Sequence, residues 1–133
     1  MELFVCFLYK FVIHGFLWVL HEDHHRPKEH RLQKNDIFSL FFSVLAFIFI
    51  LYGILSGFNI YFWIGIGIIA YGIGYFMVHD IFFHRRIKIK YIPKSAYMKG
   101  ILNAHGHHHM KATKERAINF GFLYANKKYN VPD

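Results

Sequence analysis

Two uncharged apolar stretches constrain this chain more than anything else in it. Residues 37–56 read IFSLFFSVLAFIFILYGILS and residues 60–78 read IYFWIGIGIIAYGIGYFMV, with no Asp, Glu, Lys or Arg in either. At about 1.5 Å rise per residue, some 20 such residues span the roughly 30 Å hydrocarbon core of a bilayer. A soluble fold of 133 residues could not cover two helices that are apolar on every side. Only Gly57, Phe58 and Asn59 separate the stretches, which leaves room for a tight hairpin. Its two outer ends must then lie on one side of the membrane. The expected fold class is all-α: an integral membrane helical bundle with a histidine-rich cap on the cytoplasmic side.

The charges set the side. The chain carries a formal net charge of +8 despite being 55% hydrophobic, so basic and apolar residues are segregated along it. HEDHHRPKEHRLQK (21–34) precedes the hairpin and HRRIKIKYIPK (84–94) follows it. The positive-inside bias puts both in the cytoplasm. The first segment, MELFVCFLYKFVIHGFLWVL, lacks the basic start and small-residue cleavage site of a signal peptide. It reads as a membrane helix that leaves the bilayer around His14 to Trp18, with Lys10 and His14 inside it, where polar groups are costly. The organisation is one domain, 1–133, with membrane helices at about 3–20, 37–56 and 60–78 and cytoplasmic-side segments 21–36 and 79–133. No recognition motif suggests nucleic acid. Basic residues at 85–99 and 111–128 fit anionic lipid headgroups. The single cysteine, Cys6, excludes an internal disulfide and reads as a packing residue.

Local signals support helices throughout. Asn35 and Asp36 can cap the first long stretch, Pro27 ends the preceding helix, and Ser95 can cap a last helix running to His109. Gly53 and Gly57 form GxxxG, and Gly67 and Gly74 stand seven apart, a pattern suited to close helix packing. Trp18 and Trp63 read as interfacial anchors.

The histidines then read by spacing. His21, His24 and His25 form HxxHH, and His105, His108 and His109 form a second. Positions i, i+3 and i+4 share a helical face, so each triplet is expected to converge on one point as a half-site. His79 and His84 form HxxxxH where the second long stretch ends, and His14 lies two turns before His21, on the same stripe. His30 and His107 are left over. Imidazole suits Zn, Cu, Fe and Ni alike, so spacing does not name the metal. Nine imidazoles exceed the four that close a structural zinc site, which points to a dinuclear centre. Asp23 and Asp80, each beside a proposed ligand, can orient imidazoles by accepting N–H bonds; Glu22 reads as a solvated residue.

Taken in order, HGFLWVLHEDHHRP (14–27), KNDIF (34–38), YGIGYFMVHDIFFHRR (71–86), AHGHHH (104–109) and FGFLYA (120–125) resemble successive signature segments of the bacterial β-carotene 3-hydroxylases. These belong to the fatty acid hydroxylase superfamily of membrane di-iron enzymes, and the similarity runs from about Glu2 to about Tyr129. The resemblance implies an O2-dependent monooxygenase with two histidine-ligated irons, supplied with electrons by ferredoxin or a similar donor. Its reaction would insert oxygen at C3 of a β-ionone ring, converting β-carotene to β-cryptoxanthin and then zeaxanthin. Carried across position by position, its metal ligands are His14, His21, His24, His25, His79, His84, His105, His108 and His109. The family pattern opens with HxxxxH, and its first histidine falls on Tyr9 of YKFVIH. Three readings stand for Tyr9: a phenolate ligand, a spare position beside nine histidines, and the mark of a weakened centre. The family pattern also includes a membrane segment upstream of these residues. Beside the carotenoid reading stand hydroxylation, ketolation or desaturation of another membrane lipid, and a non-catalytic membrane carrier of metal or haem.

Overall fold

The structure is a computed structural model and describes residues 1–25, 33–90, 92–110 and 120–129. Among these residues it is all helical, with no strand. The long stretches form α3 (Asp36–Leu55) and α4 (Ile60–Tyr75), the latter continuing as a π-helical segment, π2 (Phe76–Phe83). Asp36–Leu55 and Ile60–Phe83 are each long and apolar enough to cross a membrane. Leu40, Phe47, Ile60 and Trp63 are exposed on their outer surface, as lipid-facing side chains are.

The turn between α3 and α4 uses two left-handed residues, Gly57 at φ 82° and Phe58 at φ 57°. The Phe58 N–H donates back to the Gly53 carbonyl at 2.7 Å, and the Asn59 side chain caps α4 by accepting from the Tyr61 N–H at 3.1 Å. The two helices then cross at glycines. A Cβ on Gly53 would lie 2.4 Å from the Phe62 nitrogen, and one on Gly65 would lie 2.6 Å from Ile50 Cγ1. The expected small-residue packing therefore holds at Gly53 but passes to Gly65. Gly57 serves the turn, Gly67 meets nothing within 4 Å, and Gly74 only touches Leu123.

The N-terminal segment departs from a single helix over 3–20. It comprises α1 (Glu2–Leu8), a π-helical segment π1 (Tyr9–Phe16) broken at Gly15 (φ −87°, ψ −117°), and α2 (Trp18–His25). The axis turns by 99° at this break. Lys10 stays exposed with its ammonium 5.1 Å from the Phe11 ring centroid, so its charge avoids the interior, while Tyr9 and His14 are buried. Asn35 precedes α3 without making a side-chain cap bond, because its side-chain oxygen is taken by His21. Ser95 does cap α5 (Ala96–His109), its hydroxyl accepting from the Met98 N–H at 3.3 Å. Pro27, His30 and part of both basic flanks lie outside the described residues.

Chain 120–129, ending in a 3₁₀ turn at Lys127–Tyr129, is tied back to the first helix. One oxygen of Glu2 accepts the backbone N–H groups of Phe122, Leu123 and Tyr124 at 2.8, 3.0 and 3.2 Å, and the other accepts the Tyr71 hydroxyl at 2.5 Å. This clamp holds the buried Phe122 ring 4.7 Å from both Tyr9 and Tyr75. Among the described residues the largest fully buried side chains are four histidines, His21, His24, His79 and His108.

Candidate metal centre

All nine histidines singled out by spacing come together, in two groups. His24, His79, His84, His105 and His109 form one; His14, His21, His25 and His108 form the other. Within each group the ligand atoms lie within 4.8 Å of one another. Each HxxHH triplet is divided between the groups instead of converging on one point. At 3.6 residues per turn, i+3 and i+4 fall on opposite sides of i and about 100° from each other. The pair four apart therefore aims one way and the i+3 histidine another. His21 and His25 join the second group while His24 joins the first; His105 and His109 join the first while His108 joins the second.

The remaining members come from the two π-helical segments. Residues five apart on an α-helix point about 140° away from each other. A π-helix bonds i to i+5 and brings them back to one side. His79 and His84 meet this way, with ring centroids 4.5 Å apart and the His84 N–H donating to the His79 carbonyl at 2.9 Å. Tyr9 and His14, also five apart, meet at 5.1 Å. His14 and His21 do share a site, with rings 4.8 Å apart, but across the 99° break and not along a straight stripe.

The protonation pattern fits a cation. His24 Nδ1 faces the Gln33 side-chain oxygen at 2.9 Å, and His79 Nδ1 faces Asp80 Oδ1 at 3.0 Å. Both are acceptors, so each Nδ1 carries the proton and each Nε2 presents a bare lone pair. Those two Nε2 atoms stand 2.9 Å apart. Two lone pairs at that distance repel unless something positive lies against them. Similar Nε2 to Nε2 approaches join His14 to His108 at 3.1 Å, His21 to His25 at 3.2 Å and His105 to His109 at 3.0 Å. Burial, reinforced by Arg86, lowers His84 to about 4. Burial and neighbouring imidazoles hold His105 and His109 well below the ordinary imidazole range. The rings are thus kept neutral, the form that ligates metal.

Residues 1–126 match the family described as Fatty acid hydroxylase. The chain is 38% identical to the Beta-carotene hydroxylase of Pantoea ananas, over 94% of this chain and 71% of that protein. It is 36% identical to that of Pseudescherichia vulneris, over 96% and 72%, and 35% identical to that of Paracoccus sp. (strain N81106 / MBIC 01143), over 94% and 77%. This chain belongs to the fatty acid hydroxylase family. No solved structure gives a significant match.

In this family member the residues around the histidines differ in part from expectation. Asp80 orients His79 as its position suggested, and Arg86 holds it in place, 3.4 Å from Asp80 and 2.7 Å from Asp36. Asp23 instead accepts the Lys34 N–H at 2.6 Å, which fixes the chain after α2 and not an imidazole. Spacing missed Asn35, which accepts from His21 Nδ1 at 2.6 Å, and Gln33. Their only sequence signal is a polar QKND run at the mouth of a membrane helix. Trp18 packs 5.1 Å from His14 and 5.3 Å from His25, so it walls the second group. His107 lies against Tyr129, outside both groups, and Glu22 is partly exposed.

Beside the groups lies a cavity of about 770 Å³, walled by Phe4, Leu8, Phe38, Phe42, Ala46 and Phe49 among others. It reaches Tyr9, Asn35, Tyr75 and Asp80, each of which touches His21 or His79. Wall residues Phe4, Ile64, Ile69 and Phe76 are also exposed on the apolar outer surface. The cavity therefore runs from the apolar outer surface to residues that touch the histidines.

Proposed function

We propose that this chain is a membrane monooxygenase that hydroxylates C3 of β-ionone rings, taking β-carotene to β-cryptoxanthin and then to zeaxanthin. The observation that carries the reading is the apolar cavity that runs from the outer surface to residues touching two histidine groups, each able to hold an ion. Relatives named as carotenoid hydroxylases support the substrate class. His24, His79, His84, His105 and His109 would hold one iron, and His14, His21, His25 and His108 the other. When bound, the two irons supply activation of O2 and the oxidising power to break an unactivated C–H bond. One oxygen atom ends as the C3 hydroxyl and the other as water, with two electrons and two protons from a donor.

The protein's own residues bind, orient and dry. Phe38, Phe42 and Phe49 give the polyene an apolar path that ends beside Tyr9 and Tyr75. Asn35, Gln33 and Asp80 fix the tautomers of His21, His24 and His79, while Phe122 lies against His79 and His105 of the first group and Phe120 against His14 and His108 of the second. Exposed Arg85, Lys88, Lys90 and Lys94 form a basic surface beyond π2 that suits an acidic donor such as ferredoxin. We place the histidine end in the cytoplasm of a bacterial cell, on the positive-inside bias, with residues 1–133 as one domain.

The test is expression in a bacterium engineered to accumulate β-carotene. Zeaxanthin should form; well-expressed membranes whose pigment stays unchanged would overturn the proposal.

A further inference from the structure

The two groups are built on one plan. Each takes an i, i+4 pair from one HxxHH triplet, the i+3 histidine of the other triplet, and residues from one π-helical segment. In the five-histidine group π2 contributes His79, and His84 follows directly as its C-cap. In the four-histidine group π1 contributes His14, and the residue five before it, where His79 stands in π2, is Tyr9. Tyr9 is 3% exposed, and its ring lies 5.1, 5.0 and 5.2 Å from those of His14, His21 and His108. It occupies the missing fifth place.

The hydrogen bonding says what its oxygen does there. His21 Nδ1 donates to Asn35 Oδ1 at 2.6 Å, so His21 has one lone pair, on Nε2. The Tyr9 hydroxyl lies 2.9 Å from that Nε2 and donates to it. An ion bound by His21 takes the same lone pair, and the phenol loses its acceptor. A buried hydroxyl left without a partner is costly.

We propose that Tyr9 ligates the metal of the four-histidine group as a phenolate. The O–H bond breaks, its proton passes to water, and an O–metal bond forms; no electron moves. The group then carries one negative charge more than its five-histidine counterpart. A hard anionic oxygen favours the ferric state of the ion it binds, so the two irons become inequivalent. This rests on the di-iron reading above.

The test is the visible spectrum of purified, oxidised, iron-loaded protein, read beside its iron content. Wild type should hold two irons per chain and show a phenolate-to-iron(III) charge-transfer band, with tyrosine ring modes enhanced in resonance Raman. Tyr9→Phe and Tyr9→His should lose the band completely. Tyr75→Phe should keep it, because the Tyr75 ring lies flat on His79 with its hydroxyl 3.4 Å from Nε2. Two irons with no band in wild type overturn the Tyr9 assignment and leave the di-iron reading standing, whereas absence of iron sinks both. A band that persists in Tyr9→Phe also overturns it. Should Tyr9→Phe not accumulate, Tyr9→His makes the same comparison, and the wild-type spectrum decides by itself.

Discussion

The five-histidine and four-histidine groups share a plan and differ in what supports them. The first is tied to the hairpin: His79 and His84 extend α4, Asp80 and Arg86 brace His79, and Gln33 at the foot of α3 holds His24. The second depends on π1, beyond a 99° break, with Asn35 as its link to the hairpin and Glu2 holding chain 120–129 over it. One site is thus anchored in the most regular part of the protein and the other in the most bent. Similar chemistry can be reached from unlike backbones when the side chains, not the helix axes, set the meeting point.

Deleting one ligand from each group probes whether both are needed. His105→Ala and His108→Ala should each reduce zeaxanthin formation to background, and the iron content of each variant should fall on its own side only. Full activity in either would break the equivalence of the groups. The next effect concerns orientation. Asn35→Ala and Asp80→Ala should each cost about 10–100-fold in metal affinity or turnover, the range for partners of ligating histidines. A larger loss for Asn35→Ala, measured by metal titration, would mark the second group as the weaker. Replacing Glu2 with Ala strips three backbone N–H groups and the Tyr71 hydroxyl of their acceptor. It should cost on the order of 1–3 kcal/mol in a reversible unfolding measurement in detergent.

Acid should act on the metal-free protein through both groups, since burial lowers His84 in the first and His21 in the second alike. His84 is lowered to about 4 by burial and by Arg86. The unfolded chain therefore binds a proton on this residue between pH 6.5 and about 4 that the folded chain does not. Stability present above pH 6.5 is lost as pH falls towards 4, and a thermal midpoint that stays constant across that window would contradict it. The smallest effect belongs to the hairpin. Gly67→Ala meets nothing within 4 Å and should leave stability within about 0.5 kcal/mol, whereas Gly53→Ala, facing Phe62 backbone, should be plainly destabilising.

The hairpin was legible because an uncharged apolar run has one interpretation at bilayer length, and α3 and α4 begin and end close to the expected residues. The nine histidines were legible as a set, but their sorting was not. Splitting His24 from His21 and His25 depends on which side of α2 faces which neighbour, a tertiary fact. The π-helical turns were equally hidden: HxxxxH on an ordinary helix points its ends apart, and nothing in HDIFFH or YKFVIH announces the wider turn. Asn35 looked like a helix cap because Asn commonly is one; its oxygen went to His21 instead.

Four imidazoles fill the place that Leu and Phe take in most interiors. Mass action then links the lifetime of the folded chain to ion supply: a free ion at a hundred times its dissociation constant adds about 2.7 kcal/mol to the native form. A starved cell should hold less of this protein before it makes less of its product.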